Sequence, residues 1–383
     1  MPEPGVLSAE QLRATAGFIV AQQRPDGGIP WSPEGQLDPW DHVESAMALS
    51  VTGLRAEAER AYAFSARTQR PGGSWPMLLR GDTVEDAAAD TNQCAYVAVG
   101  VWHHYLITGD STFLLEMWPT VRRAVDFVVA AQRPAGELAW AVNAHGVQQD
   151  FALLTGSASA VQSLHCASLI ALEVGADPRR WQEAAARLAH AVRHHPERFA
   201  DRGRWSMDWY YPVLGGAVRG AAARRHLAAG WDTFVWPGWG VRCVADRPWV
   251  TTAETCEFVL ALDAVGDPRA GQLFADVQKL RDADGGYQMG YVVDDRATWP
   301  EERPTWTAAA VLLAADALAR SSPGAGMFAD AGEMAGPADT ISIGCGCPPD
   351  EELIQEVDSA EAEVLELVDA VDDRGEAASG GWR

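Results

Sequence analysis

The chain has 383 residues, 48% hydrophobic and 22% charged, the balance of a globular protein with a large core, either two ordinary domains or one repetitive one. Against 30 Lys and Arg stand 53 Asp and Glu, a net charge of −23 that excludes nucleic acid and anionic membrane surfaces as default partners. Six cysteines in so long a chain do not make a disulfide framework, and sixteen tryptophans are the unusual entry in the composition. The N-terminal stretch lacks the basic segment and apolar core of a signal peptide, and no apolar run is long enough for a membrane span. The expectation is a cytoplasmic protein with no membrane span.

In chain order, one pattern repeats. Phe18 to Gly28, Phe64 to Gly73 and Phe127 to Gly136 each carry an aromatic residue, then Gln-Arg-Pro and a Gly, with Trp31, Trp75 and Trp140 beyond. Pro after the Gln stops a helix and Gly lets the chain turn sharply. Between the stops lie segments with helical spacing. Amphipathic, charged helices are predicted near 8–22, 54–69, 111–131, 178–195 and 267–281. A second set, apolar almost all round, is predicted near 42–53, 91–108, 157–174, 213–229, 251–265 and 304–319. Alternating outer and inner helices predict an all-α toroid of about six helical hairpins over residues 8–320. Residues 230–250, rich in Trp and Pro, show no outer helix: either that hairpin is degenerate or an ordered loop replaces its helix, and such a loop is a candidate site wall. Residues 321–349 read as a linker and 350–383 as an acidic appendage, partly helical or disordered. From Met327 onward, 15 acids face two arginines, and partner docking by this tail is one reading of it.

The Gln-x-x-x-Gly-x-Trp-like stops resemble the prenyltransferase and squalene-cyclase repeat of the terpene-cyclase and protein-prenyltransferase toroids. Tyr105 to Asp110, Phe113-Leu114, Trp118-Pro119 and Gly136 to Trp140 resemble six-hairpin glycosidases such as glucoamylase. The two resemblances agree on fold and compete on chemistry. The first implies an isoprenoid substrate and a cation-like intermediate in a Trp-lined cavity, although the cyclases' Asp-x-Asp-Asp and the prenyltransferases' Asp-x-Cys are missing. The second implies a carbohydrate substrate and paired carboxylates flanking one bond. A non-catalytic binding toroid is the third reading. The main reading is the isoprenoid enzyme, with the glycosidase as its alternative, acting on a small molecule and without a cofactor.

A toroid gathers the N-termini of its inner helices at one mouth, and the candidate catalytic acids are those expected there: Asp41, Glu44, Asp90, Glu254 and Glu301. Each also reads as a helix cap or a dipole partner, Glu254 less so, because a lone carboxylate in an apolar helix is expensive unless used. Asp41 and Glu44, three residues apart, share a helix face, and His42 beside them is expected to exchange protons. Trp40, His42, Trp140, Trp236, Trp239 and Trp306 are the candidate substrate-binding residues. No metal site is expected. His190 and His194 have ligand spacing but read as solvent-facing on an Arg-rich helix, and Cys345-x-Cys347 alone offers too few ligands.

Overall fold

In the computed structural model, the described residues are 6–329 and Cys347. Thirteen helices form two concentric rings. The inner ring comprises α2 (Pro39–Val51), α4 with α5 (Thr91–Ala95 and Val97–Thr108), α7 (Leu154–Glu173), α9 (Ser206–Leu214), α11 (Thr252–Ala264) and α13 (Thr305–Ala319). The outer ring comprises α1 (Ala9–Gln22), α3 (Arg55–Thr68), α6 (Ser111–Ala130), α8 (Arg179–His194), α10 (Gly220–Phe234) and α12 (Arg269–Val277). Each inner helix packs on the next, and α13 returns to pack on α2 while α1 backs α13, so the ring closes. The all-α toroid of six hairpins is therefore the architecture, and the tail beyond residue 329 lies outside the described residues apart from Cys347.

Burial follows composition. In α2, eleven of thirteen residues from Trp40 to Ser50 are buried, and α13 is buried from Thr305 through Ala314, as helices covered on both sides must be. In contrast α8 buries one face (Trp181, Ala184, Leu188, Val192) and leaves Arg179 and Arg180 in solvent. Burial of each large side chain such as Tyr62, Phe258 or Phe274 contributes about 2–3 kcal/mol.

The predicted stops are clamps between outer helices. Gln69 Nε2 donates to the carbonyls of Gly73 and Thr120, both at 2.9 Å, while the Arg123 guanidinium donates to its Oε1 at 2.6 Å. Gln23 makes the same pattern with Gly27, Glu57 and Arg60, and Gln132 with Gly136, Ala184 and Arg187. Gly73 has φ +94°, and an added Cβ would lie 2.1 Å from the Arg123 carbonyl oxygen, so the turn admits no side chain.

Two expectations fail around α9 and α10, the fourth inner helix and the outer helix that follows it. The inner helix is the nine-residue α9, not residues 213–229, and the outer helix that seemed absent is α10. The apolar run Val213 to Val218 reads as helix, but Gly216 and Gly220 adopt positive φ and break it. At Gly215 a Cβ would sit 2.1 Å from the Ala158 carbonyl oxygen, so close approach of α9 to α7 requires glycine there. Residues 235–251 hold three short strands joined by turns rather than an irregular loop. Val235–Trp236, Gly240–Arg242 and Trp249–Thr251 join Gly290–Val292 and Ala297–Thr298 in a five-stranded antiparallel sheet. This sheet and the smaller ones, Gln36–Leu37 with Leu78–Arg80 and Thr83–Asp86, and Ala89–Asp90 with Ala141–Val142, all lie in outer-to-inner connections. They frame the mouth where the inner helices begin. Past α13, the turn at 323–329 folds back and Met327 and Phe328 are buried, so the packed chain continues beyond residue 320.

Candidate active site

The mouth is built from helix starts. Asp38 caps α2, accepting from the Asp41 backbone N–H at 2.9 Å with Pro39 at the first helical position. Helical spacing then points Asp41 and Glu44 to the ring axis and His42 to the outer layer. Helix α11 likewise presents Glu254 and Glu257, again three residues apart. All five acids are buried.

Glu44 accepts from Trp40 Nε1 at 2.9 Å, and the Trp40 ring stacks on Tyr96 with centroids 3.9 Å apart. Glu257 accepts from both Tyr210 and Tyr211, the latter at 2.7 Å. Glu44, Tyr96, Tyr211 and Glu257 line one small cavity with Gln162 and Phe328. Acids of α2 and α11, two inner helices that both pack on α13, thus share one field. Burial first, then the Asp38, Glu44 and Glu257 charges, hold the Asp41 carboxyl well above the usual carboxylate range. Glu257 is likewise held well above it, by burial and the charge of Glu44. Burial pushes Glu44 up to about 7, against the Trp40 hydrogen bond.

Asp90 caps α4, accepting from the Asn92 and Gln93 N–H groups at 2.8 and 3.0 Å, and burial pushes it up to about 6. Trp140 donates to it and stacks on Phe151, 5.2 Å between centroids. Its capping role is visible, and it lies close enough to Asp38 to feel that charge. Among the described residues, several buried polar atoms have no hydrogen-bond partner: Asp41 Oδ2, Asn92 Oδ1, Gln162 Nε2 and Trp306 Nε1. Groups of this kind are costly unless a ligand or water completes them.

Other expected site residues are placed elsewhere. His42 accepts from the Ile29 N–H at 3.1 Å through Nδ1 and donates to the Ala61 carbonyl at 3.0 Å through Nε2. It is a neutral strut between helices, pushed down to about 4 by burial, and shares no proton with the acids. Glu301 is exposed, whereas Asp41, Glu44 and Glu254 are buried and Asp90 is half-buried. Trp236 lies under the Arg242 guanidinium at 4.6 Å. Trp239 stacks on Tyr291 at 4.5 Å with the Lys279 ammonium 4.3 Å from its ring, so its faces are engaged within the protein. Trp306 packs against Trp31 at the start of α13. Sequence reasoning missed Glu257, Asp38 and the tyrosines. The repeated spacing Glu254-Thr-Cys-Glu257, matching Asp41 and Glu44, was the available signal for Glu257.

No helix among the described residues is long and apolar enough to cross a membrane. His190 is buried rather than solvent-facing, and it groups with His195 and Cys347 on the outer wall, away from the acids.

No family model matches the chain. Similar solved structures include a glycosidase in complex with glucose (TM-score 0.64, 17% identity, 85% of this chain and 97% of that one). A D-mannose isomerase (TM-score 0.62, 11% identity, 80% and 95%) and an α-amylase from Clostridium perfringens (0.60, 8%, 82% and 99%) share the same fold. The sequence is 55% identical over 326 residues to the MMP endo-(1,4)-3-O-methyl-alpha-D-mannosidase of Mycolicibacterium hassiacum, covering 85% of this chain and 90% of the relative. That relative overturns the isoprenoid reading: the repeated stops that suggested terpene cyclases and prenyltransferases are clamps of the shared toroid and carry no chemistry. The resemblance to six-hairpin glycosidases was the informative one, and the chain belongs to the family of this endo-mannosidase.

Proposed function

We propose that the protein is an endo-acting glycoside hydrolase that cleaves internal (1,4) linkages of an α-mannan carrying 3-O-methyl groups. The observation that carries this reading is the 55% identity to an enzyme so named, over 85% of the chain. The mouth supports it, because it places carboxyls on two inner helices around aromatic rings. Asp41, held protonated by its buried, acid-rich surroundings, is the general acid: it gives its proton to the glycosidic oxygen as the bond to the anomeric carbon breaks. Glu254, on α11, is the carboxylate that meets the oxocarbenium-like carbon, either directly or through a water whose proton it accepts. Trp40 and Tyr96 provide an apolar, aromatic surface suited to sugar faces and methyl ethers. The neighbouring acids Asp38, Glu44 and Glu257 disfavour a further negative charge and thereby keep the proton on Asp41. Asp90 with Trp140 forms the adjoining rim.

The test is incubation of the purified chain with a 3-O-methylated α-(1,4)-mannan oligosaccharide, followed by mass analysis and by NMR of the first anomer released. Mid-chain fragments are expected, with their formation abolished in Asp41→Asn. Intact oligosaccharide after prolonged incubation with folded protein would overturn the proposal. The first anomer distinguishes attack by water from attack by Glu254.

A further inference from the structure

We propose that His190, His195 and Cys347 bind a zinc-class divalent cation on the outer wall of the toroid, independently of the hydrolase site. His190 lies just before the last turn of α8, and His195 is the C-cap of that helix. Cys347 comes from far along the chain, yet one ligand atom from each of the three residues falls within 4.8 Å of the others.

Three observations carry the site beyond proximity. The Cys347 Sγ lies 3.6 Å from His195 Nε2. Zinc bonds of about 2.3 Å to sulfur and about 2.05 Å to nitrogen, at a tetrahedral angle, also place S and N about 3.6 Å apart. The opposite nitrogen of the same ring, His195 Nδ1, is 3.1 Å from Glu197 Oε1. A carboxylate there fixes the proton on Nδ1 and turns the Nε2 lone pair toward Cys347, the outer-shell arrangement that orients metal-bound histidines. Finally, His190 is 8% exposed, with its ring centroid 5.4 Å from that of His195, so it is held in place by packing.

Two imidazoles and a thiolate suit zinc or another borderline late transition metal, and not the oxygen-seeking magnesium or calcium. Binding breaks the Cys347 S–H bond, releases that proton to solvent and forms the metal–sulfur bond. It also ties the C-terminal part of the chain to α8.

Cobalt(II) titration of the full-length chain tests the site, carried out in a Cys345→Ser background. The four other cysteines with described positions are buried, so a thiolate signal reports Cys347. One cobalt per chain is expected, with a near-ultraviolet thiolate-to-cobalt band and strong visible bands that zinc displaces. Cys347→Ser in the same background should remove the thiolate band, and His195→Ala should weaken binding at least tenfold. Glu197→Ala should weaken it about 10- to 100-fold. His195 is only half-buried, so its variant serves if His190→Ala fails to fold, with thermal melts as the check. Absence of a band at millimolar cobalt in the Cys345→Ser protein, or a band unchanged by Cys347→Ser, overturns the proposal.

Discussion

The Gln-Arg-Pro stops and the acid-lined mouth are both polar places inside one toroid, and they differ in how far their polar groups are satisfied. At the Gln69 stop, the amide donates to two carbonyls and its oxygen accepts from Arg123. In the mouth, Asp41 Oδ2 and Gln162 Nε2 are buried without partners, and acids face each other in pairs. Satisfied buried groups hold structure together, whereas unsatisfied ones store a cost that binding can relieve. The tryptophans sort the same way. Trp239 is engaged by Tyr291 and Lys279, while the buried Trp306 Nε1 at the start of α13 has no hydrogen-bond partner.

The sharpest way to separate the two regions is Asp41→Asn, which keeps shape and removes the proton donor. Turnover is expected to fall by about 10²–10⁴-fold, with thermal stability kept or slightly raised because a crowded acid is gone. Loss of folding instead of turnover would place Asp41 with the structural group. At the stops the converse is expected. Gly73→Ala meets the Arg123 carbonyl in a left-handed turn and should destabilise by about 3 kcal/mol, read in a denaturant melt, with kcat of the remaining folded enzyme unchanged.

A third experiment follows stability against pH. Burial raises Glu44 from 4.5 to about 7 in the folded protein. Between those values the folded chain holds a proton that the unfolded chain has released, so the contribution of Glu44 to stability is greatest below about pH 4.5 and is lost as pH rises toward 7. Glu44→Gln should flatten that part of the profile, and an unchanged slope would show that Glu44 ionises as freely as in the unfolded chain. The smallest effect is expected from Gln69→Ala. It leaves the Gly73 and Thr120 carbonyls without this donor and should cost about 1–2 kcal/mol in a thermal or denaturant melt, with KM unaltered.

Much of the toroid was legible because helix periodicity and helix stops are local properties. The outer and inner sets differ in composition because one helix face or all of it must be buried, and Gln-Arg-Pro-x-Gly ends a helix wherever it stands. The α9 and α10 pair was misread where locality fails: Gly215 looks tolerable within an apolar run, and only the approach of α7 shows why glycine is needed at the end of α9. For the site, the sequence supplied Asp41 with Glu44 on one helix and Glu254 on another, since both lie at predicted helix starts.

What the amino-acid sequence determined by itself is thus the ring, its alternation of layers and the end at which acids collect, because these follow from spacing along one helix. Tertiary structure decided what depends on groups distant in sequence. It turned His42 outward to brace Ile29 and Ala61, brought Glu257 near Glu44, and set Cys347 beside His195 across 152 positions. A side chain's neighbours fix its protonation and its ligands. In a closed ring those neighbours come from other helices, or from a returning chain, which no local pattern encodes.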